Sequence, residues 1–302
     1  MLNLSSYKNN IFNRSGKDIL FSGKLTQVME AHNGLSAKIA ARAGFEAIWA
    51  SGLSIASQMG GRDCNEASWS QVIDVCRLII NAVDIPVFVD GDSGFGNFNN
   101  ARIFAKSLDQ VGAAGLVLED KQFPKMNSFI GEKQLLANSS EFCGKIRAIK
   151  DLNLSSDFVL IARTEALVSG YSISEALERA NLYVNAGADA IFIHSKMKTP
   201  DEILEFARLW NHRCPLVVAP TTYPSVSPTD LEAAGVSLYL CANHNVRAAA
   251  KAMHETCVEI LKNGGISSVE KQLVSLEELF DVLNYAELVE AERKYLPESF
   301  DQ

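Results

Sequence analysis

The stretch Ala186–Ser195, AGADAIFIHS, carries the pattern that decides the fold: a glycine after a helical segment, an apolar run, and polar side chains where that run ends. The pattern recurs as AGFEAIWASG from Ala43, VGAAGLVLED from Val111 and AGVSLYLCAN from Ala234. Glycine suits the left-handed cap at the end of a helix, so each copy predicts a helix, a short turn and a buried strand. The four copies therefore indicate a chain that alternates helices with parallel strands.

Filling the intervals between these copies gives eight strands and eight helices. The strands are expected near 25–31, 45–50, 85–90, 115–119, 157–162, 190–193, 216–219 and 237–241. The helices are expected near 33–43, 68–82, 98–112, 139–150, 172–186, 200–210, 227–234 and 244–262. Eight such alternations favour an α/β fold of the (β/α)8 barrel type. A doubly wound open sheet is the alternative, although no GxGxxG motif follows the first strand.

The chain is predicted to have three parts: an N-terminal extension over 1–20, the barrel over 21–263 and a C-terminal helical extension over 264–302. In the last part, Val269–Leu283 predicts an amphipathic helix that Tyr295-Leu-Pro297 could anchor. Such a helix either covers one end of the barrel or packs on a partner subunit. We expect the partner, because the barrel already has its eight helices.

The overall composition excludes several classes of protein. The chain has 302 residues, is 47% hydrophobic and 21% charged, and carries a net charge of −8, so neither nucleic acid nor a membrane surface is an expected partner. Its six cysteines show no CxxC or zinc-like spacing and are expected to be reduced thiols in a cytoplasmic protein. We expect neither a signal peptide nor a membrane span, because no suitable apolar run is found.

Acidic residues directly follow two consecutive predicted strands. Val89–Gly96 reads VDGDSGFG, so that Asp90 and Asp92 follow an apolar run, and Glu119 ends the next run. Buried carboxylates without a cation are costly, and residues past the strands of a parallel barrel meet at one face. Oxygen-only ligands suit a hard cation. We therefore expect Asp90, Asp92 and Glu119 to share a Mg²⁺ ion, with a solvated acidic turn as the alternative.

The other predicted strands also end in side chains that can take part in chemistry. They are Trp49, Ser51, Gly52 and Leu53 after the second strand, Arg163 and Glu165 after the fifth, His194 and Ser195 after the sixth, Thr221 after the seventh, and Asn243 and His244 after the eighth. Arg163 predicts a fork for carboxylate or phosphoryl oxygens, with a structural ion pair as the alternative. His194 belongs either to the site or to the core. Clustering of this kind is typical of barrel enzymes.

Two loops at this face are longer than the fold requires. Ser54–Ser68 contains Asp63, and Lys121–Asn138 contains Lys121, Lys125 and Asn127. Long loops at an active face often act as lids. Lysines and an asparagine beside a predicted metal site suit an anion such as a phosphoryl group. A solvated polar loop is the alternative for each.

Residues 25–297 resemble the phosphoenolpyruvate mutase family, in the superfamily that includes isocitrate lyase and phosphonopyruvate hydrolase. The matching motifs are HNGLSAKIA at 32–40, WASGLS at 49–54, GRDCNEASW at 61–69, DGDSGFGN at 90–97, EDKQFPKMNS at 119–128, ARTEA at 162–166, HSK at 194–196 and ANHNVRA at 242–248. The mutase signature, EDK followed after five residues by NS, is complete. The Lys-Arg-Cys-Gly-His loop of the lyases in this superfamily has no counterpart at this place, so lyase chemistry is not expected.

The resemblance implies a role for each residue of the predicted site. Asp90, Asp92 and Glu119 hold Mg²⁺, in part through water. The implied substrate-binding residues are Trp49, Ser51, Gly52, Leu53, Asn127, Ser128, Arg163 and His194, of which Arg163 and His194 hold the phosphoryl group. The implied catalytic residues are Ser51, Asp63, Lys125 and Asn127. The departures from the family pattern, DGDSG for DADTG and ARTEA for ARVEA, remove no ligand.

The resemblance also implies an activity and an assembly. The activity is the interconversion of phosphoenolpyruvate and 3-phosphonopyruvate, an isomerase reaction of phosphonate biosynthesis. Its equilibrium favours phosphoenolpyruvate, so an enzyme that consumes phosphonopyruvate is expected downstream. The assembly is a homotetramer, a dimer of dimers in which subunits exchange the eighth helix.

Two other functions stay open. Phosphonopyruvate hydrolases share the scaffold, but they tend to lack the asparagine at position 127 and to carry proline at position 34, where this chain has Gly34. Both positions therefore favour the mutase. A non-catalytic barrel used for assembly is the third reading, and the intact acidic residues, Lys125 and Asn127 argue against it.

Overall fold

Eight parallel strands form a closed barrel in which each strand pairs with the next and the eighth pairs with the first. The computed structural model describes residues 14–128, 130 and 135–296. The strands are β1 (Thr26–Ala31), β2 (Ile48–Ala50), β3 (Val87–Asp90), β4 (Gly115–Glu119), β5 (Val159–Thr164), β6 (Ala190–Ile193), β7 (Leu216–Val218) and β8 (Val236–Cys241). The predicted (β/α)8 barrel is confirmed, and the doubly wound sheet is excluded.

The helices follow the same alternation. They are α1 (Gly16–Leu20), α2 (Gly34–Arg42), α3 (Gly52–Gln58), α4 (Trp69–Ile80), α5 (Phe98–Gln110), α6 (Ser139–Lys150), α7 (Ile173–Asn185), α8 (Asp201–Trp210), α9 (Pro228–Ala233), α10 (His244–Asn263), α11 (Leu276–Val282) and α12 (Tyr285–Tyr295). The eight predicted helices correspond to α2 and to α4–α10. Among the described residues, no helix has both the length and the apolar character of a membrane span.

The glycines of the repeated pattern end four of these helices as expected. Gly44, Gly112, Gly187 and Gly235 lie directly after the capping residues of α2, α5, α7 and α9 and have φ angles of 99°, 87°, 114° and 85°. Residues other than glycine rarely adopt a positive φ angle, so glycine at these positions allows the chain to turn from helix into strand. The sequence pattern therefore has a direct conformational cause.

Two apolar layers stabilise the barrel. Side chains that point inward from the strands, such as Val28, Phe88 and Phe192, form the interior cluster, which also includes Ile19 and Leu20 of α1. A second cluster lies between the strands and the surrounding helices, and its fully buried members include Phe104, Phe142, Tyr183 and Phe206. Strand residues alternate between these two layers, so the inward set continues into the polar residues at the strand ends.

Two expectations about local structure are wrong. The predicted loop Ser54–Ser68 begins inside α3, because Ser51, directly after β2, is a helix cap whose hydroxyl accepts the Ser54 N–H at 3.4 Å. The predicted helix Val269–Leu283 is broken into 3₁₀ turns and α11. The reason is that Ser275 begins α11 with a capping box, and Asn284, at φ 62°, separates it from α12.

The chain divides after Val246 into two compact units, of which the first holds the barrel. The second holds most of α10 together with α11 and α12. Residues 1–13 of the predicted N-terminal extension and Pro297 of the predicted anchor lie outside the described residues.

Candidate active site

A cavity of about 60 Å³ lies at the carboxyl ends of the barrel strands. It is lined by Trp49, Ser51, Leu53, Asp63, Asp90, Lys125, Asn127, Ser128, Arg163, Phe192, His194, Ala219, Thr221, Leu240, Ala242 and Asn243. This list includes every residue to which the resemblance gives a role except Gly52, Asp92 and Glu119. These three lie directly behind it, because they contact Asp90, Lys125 and Arg163 respectively. The strand-end candidates Glu165, Ser195 and His244 do not line the cavity either.

Backbone hydrogen bonds hold the three predicted metal ligands at the ends of β3 and β4. The Glu119 N–H donates to the Asp92 carbonyl at 2.8 Å, and the Gly52 N–H donates to Asp90 Oδ2 at 3.1 Å. Asp90, Asp92 and Glu119 are 8%, 6% and 2% exposed. A solvated acidic turn is therefore ruled out for these residues.

The packing beside this turn leaves no room at position 91. A Cβ on Gly91 would lie 2.3 Å from Leu116 Cδ1 and 3.0 Å from the Val117 carbonyl oxygen. Glycine here therefore matches the large leucine on the neighbouring strand.

The charges at this end of the barrel leave an excess of negative charge. Five carboxylates, those of Asp63, Asp90, Asp92, Glu119 and Glu165, lie near three permanent cations, those of Lys121, Lys125 and Arg163. Burial raises the pKa of Asp92 to about 7, with further contributions from the neighbouring acids and opposition from Lys125. Burial likewise raises the pKa of Glu119. When all five carboxylates are ionised, they exceed the three cations by two negative charges, which suits a divalent cation.

The donor set fits that cation, although its side chains now surround an ammonium group. Glu119 Oε1 is buried and has no hydrogen-bond partner among the described residues. Within the described ranges, no three His, Cys, Asp or Glu side chains enclose a common metal position. Lys125 Nζ lies against Asp92 Oδ1 instead, at 2.5 Å. An oxygen-only set with an unused buried acceptor fits a hard ion such as Mg²⁺.

Two loops meet above these carboxylates. Lys125 Nζ lies 2.9 Å from Asp63 Oδ1, and the Asn127 side-chain amide donates to Asp63 Oδ2 at 2.5 Å. Asn65 Nδ2 donates to Asp92 Oδ2 at 2.7 Å, and Asn65 Oδ1 accepts the Lys125 N–H at 2.7 Å. The loop after α3 and the loop after β4 therefore cover the cavity together.

Electrostatics keep the pair Lys125–Asp63 charged. Burial alone would lower the pKa of Lys125, but Asp92, Glu119 and Asp63 raise it well above its usual value. Burial alone would raise the pKa of Asp63, but Lys125 and the Asn127 amide bring it below the usual value. Both groups are therefore ionised at neutral pH.

Glu165 organises the opposite side of the cavity. Its Oε1 accepts from Arg163 Nε at 2.6 Å and lies 2.8 Å from His194 Nδ1, and its Oε2 accepts from Ser128 Oγ at 2.7 Å and lies 3.2 Å from Lys121 Nζ. Burial would raise the pKa of Glu165, but Arg163 and His194 hold it well below its usual range. This carboxylate therefore fixes four neighbouring side chains at once.

The predicted anion-binding pair lies beside this carboxylate. The Arg163 guanidinium lies 4.8 Å from the centre of the Phe192 ring and 3.5 Å from Glu119 Oε2. His194 Nδ1 lies 2.8 Å from both Arg163 Nη2 and Glu165 Oε1, so either tautomer finds a partner there. Burial, followed by Arg163, lowers the pKa of His194. Arg163 therefore forms the structural ion pairs that were the alternative to anion binding, and it also lines the cavity. His194 lines the cavity as well.

A second buried carboxylate supports Glu165 from behind. Asp120 accepts from the Tyr183 hydroxyl at 2.6 Å, from the Glu165 N–H at 2.8 Å and from the Thr164 hydroxyl at 3.2 Å. Thr164, one of the departures from the family motif, thereby adds a hydrogen bond within the barrel. The orientation of Glu165 is therefore fixed by its backbone as well as by its side chain.

Sequence reasoning placed the predicted residues at this end of the barrel but missed several contacts. It assigned no role to Asn65 or to Glu165, although Glu165 was noted at a strand end. It considered Lys121 only as a lysine suited to an anion, whereas Lys121 Nζ lies 3.2 Å from Glu165 Oε2. Several partners of these residues are far away in sequence: Asn65 is 60 residues from Lys125, and Glu165 is 37 residues from Ser128. No local pattern indicates such contacts.

Comparisons with known proteins agree with the fold. The family model described as phosphoenolpyruvate phosphomutase matches residues 17–261. The phosphoenolpyruvate phosphomutase of Streptomyces hygroscopicus is 49% identical, over 89% of this chain and 86% of its own. A crystal structure of the phosphoenolpyruvate phosphomutase from Streptomyces platensis subsp. rosaceus has a TM-score of 0.88 at 40% identity and covers 90% of this chain and 95% of its own.

A solved hydrolase is also similar to this chain. The crystal structure of phosphonopyruvate hydrolase in complex with oxalate and Mg²⁺ has a TM-score of 0.88 at 39% identity and covers 94% of this chain and 99% of its own. The fold is therefore shared by both activities, and individual residues of the site must separate them.

Proposed function

This chain belongs to the phosphoenolpyruvate phosphomutase family, and we propose that it interconverts phosphoenolpyruvate and 3-phosphonopyruvate. The reaction breaks the bond between phosphorus and the enol oxygen and forms a bond between phosphorus and C3 of the same molecule. The observation that carries the proposal is the position of the mutase signature: Asn127 and Ser128 line the cavity together with Arg163 and His194.

The phosphoryl group is proposed to bind between Arg163, His194 and Asn127. Negative charge on this group spreads over three oxygens during transfer, so positioned donors stabilise it without taking part in a bond. Ser128 donates to Glu165 and accepts from Arg163 at 3.1 Å, which supports a role in holding the arginine. Ser51, which also lines the cavity, is proposed to contact the same group.

The pyruvoyl half is proposed to bind at the ends of β2 and β3. Trp49 and Leu53 line this part of the cavity, and the amides of Ser51, Gly52 and Leu53 lie at the start of α3. A carboxylate suits such amides. The Gly52 N–H also donates to Asp90 Oδ2. The carboxylate end of the substrate is therefore proposed to lie beside the acidic residues.

We propose Mg²⁺ as the cofactor, held by Asp90, Asp92 and Glu119. The excess negative charge and the unused Glu119 Oε1 support this assignment, as does the Mg²⁺ in the solved hydrolase. When bound, the ion supplies positive charge for the carboxylate and enolate oxygens of the substrate.

Asp63, Lys125 and Asn127 are proposed to keep water away from the reacting group. Their contacts join the two loops directly over the cavity. Water that reached a metaphosphate-like group would capture it and yield phosphate, so closure decides between rearrangement and hydrolysis. Asn127 is suited to this position because an amide orients the phosphoryl oxygens without supplying a nucleophile.

The assembly, pathway and location are further proposals. We propose a homotetramer, a dimer of dimers that exchanges the eighth helix, α10, and light scattering that reports a monomer at micromolar concentration would refute it. The exposed apolar side chains of the second unit, among them Leu261, Leu276 and Leu288, support such an interface. A cytoplasmic location and a downstream enzyme that consumes phosphonopyruvate complete the proposal.

A product assay tests the activity. Purified protein with Mg²⁺ and phosphonopyruvate should produce phosphoenolpyruvate, detected by a coupled pyruvate kinase assay, with little free phosphate. Phosphate and pyruvate in equal amounts would instead assign the hydrolase. The absence of any reaction, together with the absence of Mg²⁺ binding by calorimetry, would favour the non-catalytic barrel.

A further inference from the structure

We propose that Asn65 is a positioning residue that ties both active-site loops to Asp92, so that loop closure and the orientation of that carboxylate depend on each other. The inference rests on the proposed function for its catalytic readouts, but not for its binding and proteolysis readouts. Asn65 is not among the residues that line the cavity, and the resemblance gives it no role.

The contacts of Asn65 reach two separate elements. Its Nδ2 donates to Asp92 Oδ2 at 2.7 Å, across 27 residues of sequence, and its Oδ1 accepts the Lys125 N–H at 2.7 Å, across 60 residues. One side-chain amide therefore uses its donor on the β3 carboxylate and its acceptor on the backbone of the other loop. The Asn127 amide and Asp63 Oδ2 also join the two loops directly.

The contact with Asp92 fixes how that carboxylate points. With Oδ2 held by the Asn65 amide, Oδ1 lies against Lys125 Nζ at 2.5 Å. Asp92 Oδ1, the oxygen that does not contact Asn65, is therefore the one that faces a cation. Groups that orient a ligating side chain in this way typically change metal affinity or activity by about 10–100-fold when they are removed.

The backbone at position 65 selects the same residue type. Asn65 has a φ angle of 60°, a region that asparagine tolerates better than most side chains. Aspartate would keep the shape and the acceptor but would place a second carboxylate 2.7 Å from Asp92. Glycine would keep the backbone and lose both hydrogen bonds. These differences make two variants informative.

The test compares Asn65→Gly and Asn65→Asp with the wild type and with Glu66→Gln. Glu66 contacts Arg62 within the same loop and is exposed, and a glutamine still accepts the Arg62 N–H. The control therefore changes a charge on the loop without touching the contacts between the loops. All four proteins are checked for folding by thermal unfolding before they are compared.

Four readouts are expected to move together in Asn65→Gly. The kcat falls by about 10–100-fold while KM changes less, and the share of hydrolysed product rises. The affinity for Mg²⁺, measured by calorimetry without substrate, falls by about 10-fold. Trypsin cleaves the loop at 121–138 faster. Asn65→Asp loses kcat and loop protection as well, because its carboxylate repels Asp92. Glu66→Gln matches the wild type in all four.

Clear outcomes would overturn the inference. If folded Asn65→Gly keeps wild-type Mg²⁺ affinity and loop protection, Asn65 does not link the loops to Asp92. If folded Asn65→Asp keeps the wild-type kcat, the donor to Asp92 is unnecessary. A wild-type protein without mutase activity would refute the proposed function instead, and the Mg²⁺ and trypsin measurements would still test Asn65.

Discussion

Glu165 Oε2 accepts a hydrogen bond from Ser128 Oγ at 2.7 Å, so the serine of the mutase signature and the end of β5 share one buried carboxylate. The other oxygen of Glu165 holds Arg163 Nε at 2.6 Å. The loop after β4 and the proposed phosphoryl-binding arginine are therefore oriented by the same group. This relationship explains how a loop residue far from the strand is held in register with the site.

Replacing Glu165 with glutamine should destabilise the protein and impair the site. Breaking a buried ion pair on one side typically costs about 3–5 kcal/mol, because Arg163 and Lys121 would stay buried without their counter-charge. Urea unfolding at pH 7 measures the loss. The control is Glu175→Gln, which removes a partly exposed helical pair with Arg179 and should cost about 1 kcal/mol or less. Equal losses in the two variants would show that Glu165 does not organise the site.

Replacing Glu119 with alanine should abolish Mg²⁺ binding and turnover. The variant removes the buried oxygen without a described partner and one of three proposed ligands. Calorimetric titration with Mg²⁺ and the product assay check the two effects. The exposed Asp74→Ala variant, which loses only its pair with Arg77, should behave as the wild type. Normal turnover of folded Glu119→Ala at modest Mg²⁺ would contradict the metal assignment.

Replacing Asn127 with alanine should slow the mutase reaction and raise the share of substrate that is hydrolysed. Losing one donor to developing charge costs about 10²–10³ in rate. Because Asn127 also bonds to Asp63 over the cavity, the remaining turnover should give a larger share of pyruvate and phosphate. Phosphorus NMR gives the ratio of rearranged to hydrolysed product. If the variant keeps both the rate and the ratio, Asn127 is only a loop residue.

His194 should make the folded state sensitive to mild acid. Burial and then Arg163 lower its pKa, Lys121 acts in the same direction, and Glu165 opposes them. The folded protein therefore binds a proton at His194 less readily than the unfolded chain, so stability is lost as pH falls below about 6.5. The free energy of unfolding of the wild type, relative to His194→Asn, should decrease between pH 7 and pH 5.

Urea unfolding at pH 7, 6 and 5 measures that difference. The difference changes by at most about 1.4 kcal/mol for each pH unit. A difference for His194 that is constant or grows in acid would contradict the sign of this shift.

Local signals predicted the barrel and the position of its site. The glycines after α2, α5, α7 and α9 have the positive φ that the sequence pattern requires, and Asp90, Glu119, Arg163 and His194 follow inward-pointing strand residues. The short helix α3 was missed because its cap, Ser51, directly follows the last residue of β2 and leaves no turn between strand and helix. The break in the tail was missed because the periodicity of the apolar residues continues across Ser275.

Contacts that depend on tertiary structure could not be predicted in this way. The bonds of Asn65 to Asp92 and Lys125, and those of Glu165 to Ser128, Lys121 and His194, join residues that no sequence period relates. Their identity follows only after the barrel brings the loops together. The resemblance supplied the roles of Lys125 and Asn127, whereas the structure supplied their partners.

The measurement that tests the central claim most directly is phosphorus NMR of the purified protein with Mg²⁺, started separately from phosphonopyruvate and from phosphoenolpyruvate. The account predicts that both samples approach the same mixture, dominated by phosphoenolpyruvate, while the inorganic phosphate signal stays small. Conversion of phosphonopyruvate to inorganic phosphate without a phosphoenolpyruvate signal would contradict it.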